Sequence, residues 1–236
     1  MRRFPNDRKN SHSVRRGKIP SKDPSEWAGR MADIPCFILG NGPSLEDIDL
    51  SPLNEFFTIG INRIFYTYDP TILMWQDLAL WIQENKKIIE TKAIKYCREG
   101  SEFRGGFYTF SLGKRDPRIS HGVKVLHGRG SSGTIAYQFA FSLGCNPIIC
   151  VGMDCKYEGK MTDFYGNNPM HKPHTLPNCK KGLKFIMGNH PDKTIINCSD
   201  TDILGKRHTL QEAISLLGDK RYNREILTNI LFNVEK

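Results

Sequence analysis

Two kinds of residue in this chain have the types and spacing to do chemistry. The first is a histidine pair. His171 and His174 lie in Asn168-Pro169-Met170-His171-Lys172-Pro173-His174, a few residues after Tyr165. Imidazole titrates near neutrality, so either ring suits general-base work, although a solvated loop histidine has the same surroundings in sequence. The second kind is a pair of glycine and hydroxyl clusters, Gly40-Asn41-Gly42-Pro43-Ser44 and Gly128-Arg129-Gly130-Ser131-Ser132-Gly133-Thr134. Glycine lets backbone approach a ligand closely, and a helix opening behind such a turn offers N–H groups to a phosphate. Either cluster alone also reads as a plain strand–helix turn. Neither the dinucleotide fingerprint nor the P-loop pattern is present.

Carboxylates and thiols say less. Asp47-x-Asp49 and Asp200-x-Asp202 have the spacing of some metal-dependent sugar transferases, but the first pair falls in a helical pattern. The seven cysteines include no CxxC pair. His171, His174 and Cys179, with Cys155 or Cys198, form a conceivable zinc set without paired-ligand spacing, so no metal ligand is assigned. A divalent-metal requirement stays open. No thiolate nucleophile is nominated.

Short apolar runs that would place these groups recur at 34–39, 57–61, 71–76, 93–97, 123–127, 147–152 and 194–198. They alternate with helical patterns at 44–53, 78–90, 132–143 and 209–218. Ser44-x-x-Asp47 and Thr209-x-x-Glu212 have capping-box spacing, and Gly144 suits a helix C-terminus. Runs apolar on both faces belong to a parallel sheet covered on both sides. The expected fold is therefore an α/β, Rossmann-like, largely parallel sheet with helices on both faces. Ligands bind such sheets beyond the carboxyl ends of the strands. Those ends carry Gly40 to Ser44, Asn62, Asp77, Asp154 and Ser199-Asp200, and Ser131 to Gly133 open a helix behind a further apolar run. The coincidence makes Gly40, Asn41, Gly42, Ser44, Asn62, Asp77, Ser131, Ser132, Gly133 and Asp154 candidate substrate contacts. Residues 156–192 break the rhythm with four Gly, four Pro and three His, and read as a lid.

The 236 residues suffice for one domain, with 39% hydrophobic and 25% charged residues. No apolar stretch approaches a membrane span, and the basic N-terminus lacks the apolar core of a secretory signal. The odd cysteine count then points to a reducing cytoplasm. Of the net charge of +9, residues 1–30 carry +6. They read as a basic flexible arm ahead of a catalytic domain at 31–236, and suggest a polyanionic partner such as DNA, or only a solubilising role.

Together, Gly40-Asn41-Gly42-Pro43-Ser44-Leu45, Asn62 in IGINRIFY, Ser131-Ser132-Gly133 and the run ending at Asp154 resemble glycosyltransferase family 42, the small bacterial sialyltransferases. They also resemble a wider, often phage-encoded group related to motility-accessory glycosyltransferases and hydroxymethylpterin diphosphokinases. The resemblance spans about 34–200. It implies that Asn41, Gly42, Asn62, Ser131, Ser132 and Gly133 hold the nucleotide of a CMP- or UDP-type sugar donor. It implies that His171 or His174 is the base and that Tyr165 stands near the leaving phosphate; His174 is preferred because Pro173 restricts the backbone just before it. The donor is then a co-substrate and no cofactor is required. The tyrosine expected directly after the Gly-x-Asp turn is displaced here to Tyr157, behind Cys155 and Lys156. A glycosyltransferase acting on a modified base in DNA is the sharpest form of the expectation. The alternatives are a metal-dependent diphosphokinase or other nucleotidyl-handling enzyme, and a non-catalytic nucleotide- or nucleic-acid-binding protein.

Overall fold

A computed structural model of the protein describes residues 21–102, 105–113, 122–127, 131–157, 161–168 and 175–232. Apolar residues on both faces of the strands produce the expected sheet. Strands β1 (Cys36–Leu39), β2 (Phe57–Ile61), β3 (Ile72–Trp75), β4 (Ile94–Arg98), β5 (Tyr108–Leu112), β6 (Val125–Leu126), β7 (Ile148–Val151) and β8 (Ile195–Cys198) pair in the order β6-β5-β4-β3-β2-β1-β7-β8. Every pairing is parallel. Successive residues feed two separate cores. Cys36 and Ile38 of β1 join one cluster with Ile59, Met74 and Cys150, whereas Phe37 and Leu39 join the other with Leu73, Trp75 and Val151.

Helices α2 (Ser132–Ser142), α3 (Thr175–Gly188) and α5 (Arg224–Phe232) cover the first face, and α1 (Leu78–Glu90) and α4 (Leu210–Leu216) the second. α2 is buried almost all round, which a sequence without a single charged residue allows. Thr209 and Glu212 form the expected capping box at the start of α4. Gly144, at φ +88°, ends the turn after α2 in the left-handed region. No described helix is long and apolar enough to cross a membrane.

Four local expectations differ from the structure. The helix expected over 44–53 is two 3₁₀ turns, Pro43–Leu45 and Ser51–Glu55, because Ser44 bonds to a distant carboxylate instead of capping a helix. Strand β5 and helix α5 arise where no element was expected. The stretch read as a lid contains the fourteen-residue helix α3. Pro177 is tolerated there because it falls in the first turn, where its missing N–H costs no hydrogen bond. Residues 21–30, read as part of the arm, belong to the fold. Lys22 N donates to Phe107 O at 2.8 Å, and Trp27 is 2% exposed among Tyr96, Tyr108, Phe139 and Phe232.

Connections run outward from β1 through β2 to β6, then return across β1 to β7 and β8. The direction of winding thus reverses between β1 and β7. In an open parallel sheet the crevice beyond that point is where ligands bind.

Candidate functional site

β1 runs out into Gly40-Asn41-Gly42 and β7 into Gly152-Met153-Asp154-Cys155. The two turns are zipped together past the strand ends: Gly40 N donates to Val151 O and Gly42 N to Gly152 O, both at 2.8 Å. A Cβ on Gly40 would lie 2.1 Å from Gly152 O, and one on Gly42 2.3 Å from Asp154 Oδ2. Glycine is therefore demanded by turn-on-turn packing. A packing reason for Gly42 thus stands beside the expectation that glycine lets a ligand approach this turn.

Asp154 is 3% exposed and both of its oxygens are engaged. Oδ2 accepts from Ser44 N at 2.9 Å, and Oδ1 accepts from Ser44 Oγ at 2.6 Å and Asp200 N at 2.9 Å. Two residues expected to touch substrate thus touch each other. Asp154 still borders the cleft between the turns, whereas Ser44 does not.

That cleft, of about 260 Å³, is lined by Gly40, Asn41, Gly42, Asn62, Asp77, Ser131, Ser132, Gly133 and Asp154, nine of the ten expected substrate contacts. Asn41, 7% exposed, bridges two strand ends: its Nδ2 donates to Ile61 O at 2.8 Å and its Oδ1 accepts from Arg63 N at 3.1 Å. The bridge turns the chain sharply after β2, so that Asn62 has φ +51°, a left-handed conformation that asparagine tolerates better than most residues. Ser132 Oγ donates to Asn62 Oδ1 at 3.4 Å and accepts from Gln76 Nε2 at 3.0 Å. Gln76, which sequence reasoning did not nominate, also lines the cleft. Its signal was its place as the last polar residue of the β3 run.

Ser131 is the N-terminal boundary residue of α2, and the first turn of that helix opens onto the cleft with N–H groups that an α-helix leaves without intrahelical partners. The far wall is the start of α3, through Thr175, Leu176 and Cys179. Cys179 accepts a hydrogen bond from Ser131 Oγ at 2.9 Å and another from Cys155 Sγ at 3.1 Å. These two donors hold the Cys179 thiol below its ordinary pKa, while donation to Cys179 and burial push Cys155 up.

Residues 161–168 close another side, with Thr162, Asp163 and Asn168 on the lining. Phe164 N donates to Asn41 O at 2.8 Å, which ties this stretch to the glycine turn. Tyr165 is not on the lining. Its hydroxyl accepts from Asn168 Nδ2 at 3.1 Å, its ring packs beside Arg63 and Tyr66, and burial pushes its pKa up to about 12. Its visible role is to hold Asn168. His171 and His174 lie outside the described residues. Asp200 is paired with Lys156 and Asp202 with Lys180, each at 2.6 Å. Among the described residues no group of three or more His, Cys, Asp or Glu side chains is placed to hold a metal ion. Of the conceivable zinc set, Cys155 and Cys179 meet at the cleft, whereas Cys198 is in the core on the opposite face of the sheet.

No family model matches the sequence, and no curated protein matches it. Among solved structures, the chain is similar to the sialyltransferase CstII from Campylobacter jejuni, solved with the substrate analogue cytidine-5'-monophosphate. The identity is 16% and the TM-score 0.45, over 71% of this chain and 81% of that one. It is also similar to the MAf glycosyltransferase from Magnetospirillum magneticum AMB-1, at 15% identity and a TM-score of 0.49, over 90% of this chain and 43% of that one. The chain thus matches less than half of the MAf protein's length. The class that the fold and cleft define is an α/β protein with a polar cleft at the switch point of a parallel sheet.

Proposed function

We propose that the protein is a nucleotide-sugar-dependent glycosyltransferase of the sialyltransferase-like kind. The observation that carries the reading is the meeting, in one switch-point cleft, of the Gly40-Asn41-Gly42 turn, Asn62 and Ser131-Ser132-Gly133, three stretches separated widely in sequence. The first turn of α2 suits the donor phosphate, since helix N-termini favour anions. Asn62, Gln76 and Ser132 offer donors and acceptors for the ribose and base of a CMP- or UDP-type donor. The sugar then projects toward residues 161–168.

In the reaction, the acceptor oxygen attacks the sugar's anomeric carbon. The bond from that carbon to the phosphate oxygen breaks, and the nucleotide leaves with the electron pair. His174 or His171 takes the acceptor proton. Tyr165, protonated at neutral pH, orients Asn168 at the cleft. The acceptor is a polyanion such as DNA carrying a modified base, attracted by the basic N-terminal residues in a cytoplasmic setting. No metal is needed in this scheme, so turnover is expected to survive EDTA.

The test is a thermal-shift panel of CMP, UMP, UDP, GDP and ADP sugars, followed by donor-hydrolysis assays on whichever binds. A ligand at a hundredfold excess over Kd stabilises the native state by about 2.7 kcal/mol, which a melting curve resolves readily. Stabilisation by one nucleotide class, lost in Ser132→Ala and Asn62→Ala, together with donor turnover, is the expected result. Binding without turnover favours the non-catalytic alternative. Turnover only with added magnesium favours the diphosphokinase. No stabilisation by any member rejects the nucleotide reading.

A further inference from the structure

Cys155 and Cys179 stand apart from the other cysteines. Cys36, Cys97, Cys145, Cys150 and Cys198 are buried in the two cores, whereas Cys155 and Cys179 are partly exposed and both line the cleft. They come from different elements, the turn after β7 and the second turn of α3, and are 24 residues apart in sequence. Their sulfurs are nevertheless 3.1 Å apart, with Ser131 Oγ 2.9 Å from Cys179 on the same side. Cys155 also has φ +53°, a left-handed conformation uncommon outside glycine and asparagine, so the backbone there is held in a strained position that brings its thiol to Cys179.

We infer that Cys155 and Cys179 form a reversible disulfide that fastens α3 to the β7 turn and changes the cleft wall between them. About 1 Å of approach separates the present 3.1 Å contact from a bond of about 2.05 Å. The thiolate is the reactive form, and the two hydrogen bonds to Cys179 favour it there. With a peroxide as oxidant, Cys179 sulfur attacks one peroxide oxygen, the O–O bond breaks, and Cys179 becomes a sulfenic acid as one water leaves. Cys155 sulfur then attacks Cys179 sulfur, the S–O bond breaks, and a second water leaves with the thiol proton. Two thiols and one hydrogen peroxide thus give one disulfide and two waters, two electrons passing from the sulfurs to the peroxide.

Once bonded, Cys179 sulfur is drawn toward Cys155 and is a weaker acceptor, so its 2.9 Å contact with the Ser131 hydroxyl at the start of α2 is weakened. The phosphate-facing end of the cleft is thereby altered. That consequence for ligand binding rests on the nucleotide reading, whereas the bond itself does not.

The experiment treats the full chain with hydrogen peroxide, digests it without reductant and examines the peptides by mass spectrometry. The expected product is a cross-linked pair joining residues 155 and 179, two hydrogens lighter than the separate peptides and released by dithiothreitol. Cys155→Ser and Cys179→Ser should each abolish it while circular dichroism shows the fold intact. Cross-links confined to other cysteines, or only sulfinic and sulfonic acids at Cys179, would overturn the inference. CMP affinity, measured by calorimetry on the same oxidised sample, should be weaker by about five- to tenfold, the lower range of coupling between sites, and recover with dithiothreitol. An unchanged CMP affinity in cross-linked protein would sink the claim about the cleft wall. If reduced protein binds neither CMP nor any other nucleotide of the panel, the nucleotide reading fails while the cross-link result still decides the disulfide.

Discussion

At the scale of single residues, Asp154 concentrates the structural cost of the site. Its carboxylate receives three hydrogen bonds, from Ser44 and Asp200, and is almost wholly excluded from water. Asp154→Ala leaves those donors without an acceptor and should lower unfolding stability by at least about 1–3 kcal/mol, the cost of one buried unsatisfied group. Asp154→Asn keeps one carbonyl oxygen and should lose less. Urea unfolding checks both. If Asp154→Ala keeps its stability but loses nucleotide affinity, the carboxylate contacts ligand rather than holding the turn. The histidines carry the complementary prediction. Replacing the true base among His171 and His174 by Ala should lower kcat by about 10²–10⁴ with little change in nucleotide Kd. A loss below tenfold in both variants excludes the histidine-base scheme. Proportional loss of binding in both moves the search for the base to Asp77 or Asp154, both on the cleft lining.

At the scale of elements, α2 and α3 pack against each other and each lines one side of the cleft. Gly182 of α3 lies so close to α2 that a Cβ there would be 2.7 Å from Thr134 Oγ1. Thr134 is fully buried and β-branched, so its side chain has few rotamers into which it can retreat. Gly182→Val should push α3 outward at a cost of about 1–3 kcal/mol, the usual range for overpacking. Because the first turns of α3 form the far wall, nucleotide affinity should fall in the same variant. Gly182→Ser, with less bulk, should fall between. Melting temperature and nucleotide Kd read together test this, and a variant with unchanged values of both would show that the crossing does not hold the wall. The same packing explains why α3 was not legible from sequence. A glycine in mid-helix and a proline in the first turn both argue against a helix when their neighbours are unknown. Packing against Thr134 supplies the reason for the glycine, and the helix terminus supplies the tolerance for the proline.

At the scale of the molecule, the excess basic charge and Trp27 fall in different stretches of the sequence. Residues 21–30 hold two basic and two acidic side chains, so the whole +6 of the first thirty residues lies in residues 1–20. Trp27, by contrast, is a core aromatic. Deleting residues 1–20 should leave the melting temperature nearly unchanged and reduce both DNA affinity and its dependence on salt, since that slope grows with the number of phosphates the protein neutralises. Deleting residues 1–30 should in addition destabilise the fold by about 3–5 kcal/mol, the range for truncating a buried tryptophan. Salt-dependent DNA titration and thermal melting on both truncations separate the effects. Equal DNA binding by the parent and the shorter truncation would remove residues 1–20 from acceptor recognition.

The parallel sheet and the edge that carries its polar turns were legible in the sequence because both depend on local pattern. Runs such as CFIL and IICV, apolar at every position, suit only strands covered on both faces, and α1 was readable to the residue from its own periodicity. Strand-end glycines and asparagines likewise mark one edge of the sheet, and nine of the ten nominated residues line one cleft there. What the side chains do there was decided only in three dimensions. Ser44 looks like a helix cap until Asp154, 110 residues away, takes both of its hydrogen bonds. Tyr165 looks like a phosphate ligand until Asn168 and Arg63 claim its hydroxyl and ring. Cys155 and Cys179 have no motif between them, and Trp27 stands in a polar stretch that reads as a tail. In each case the deciding partner is distant in sequence, and a hydrogen bond or a buried packing partner depends on which groups the fold brings within a few ångströms, a quantity that local spacing does not contain.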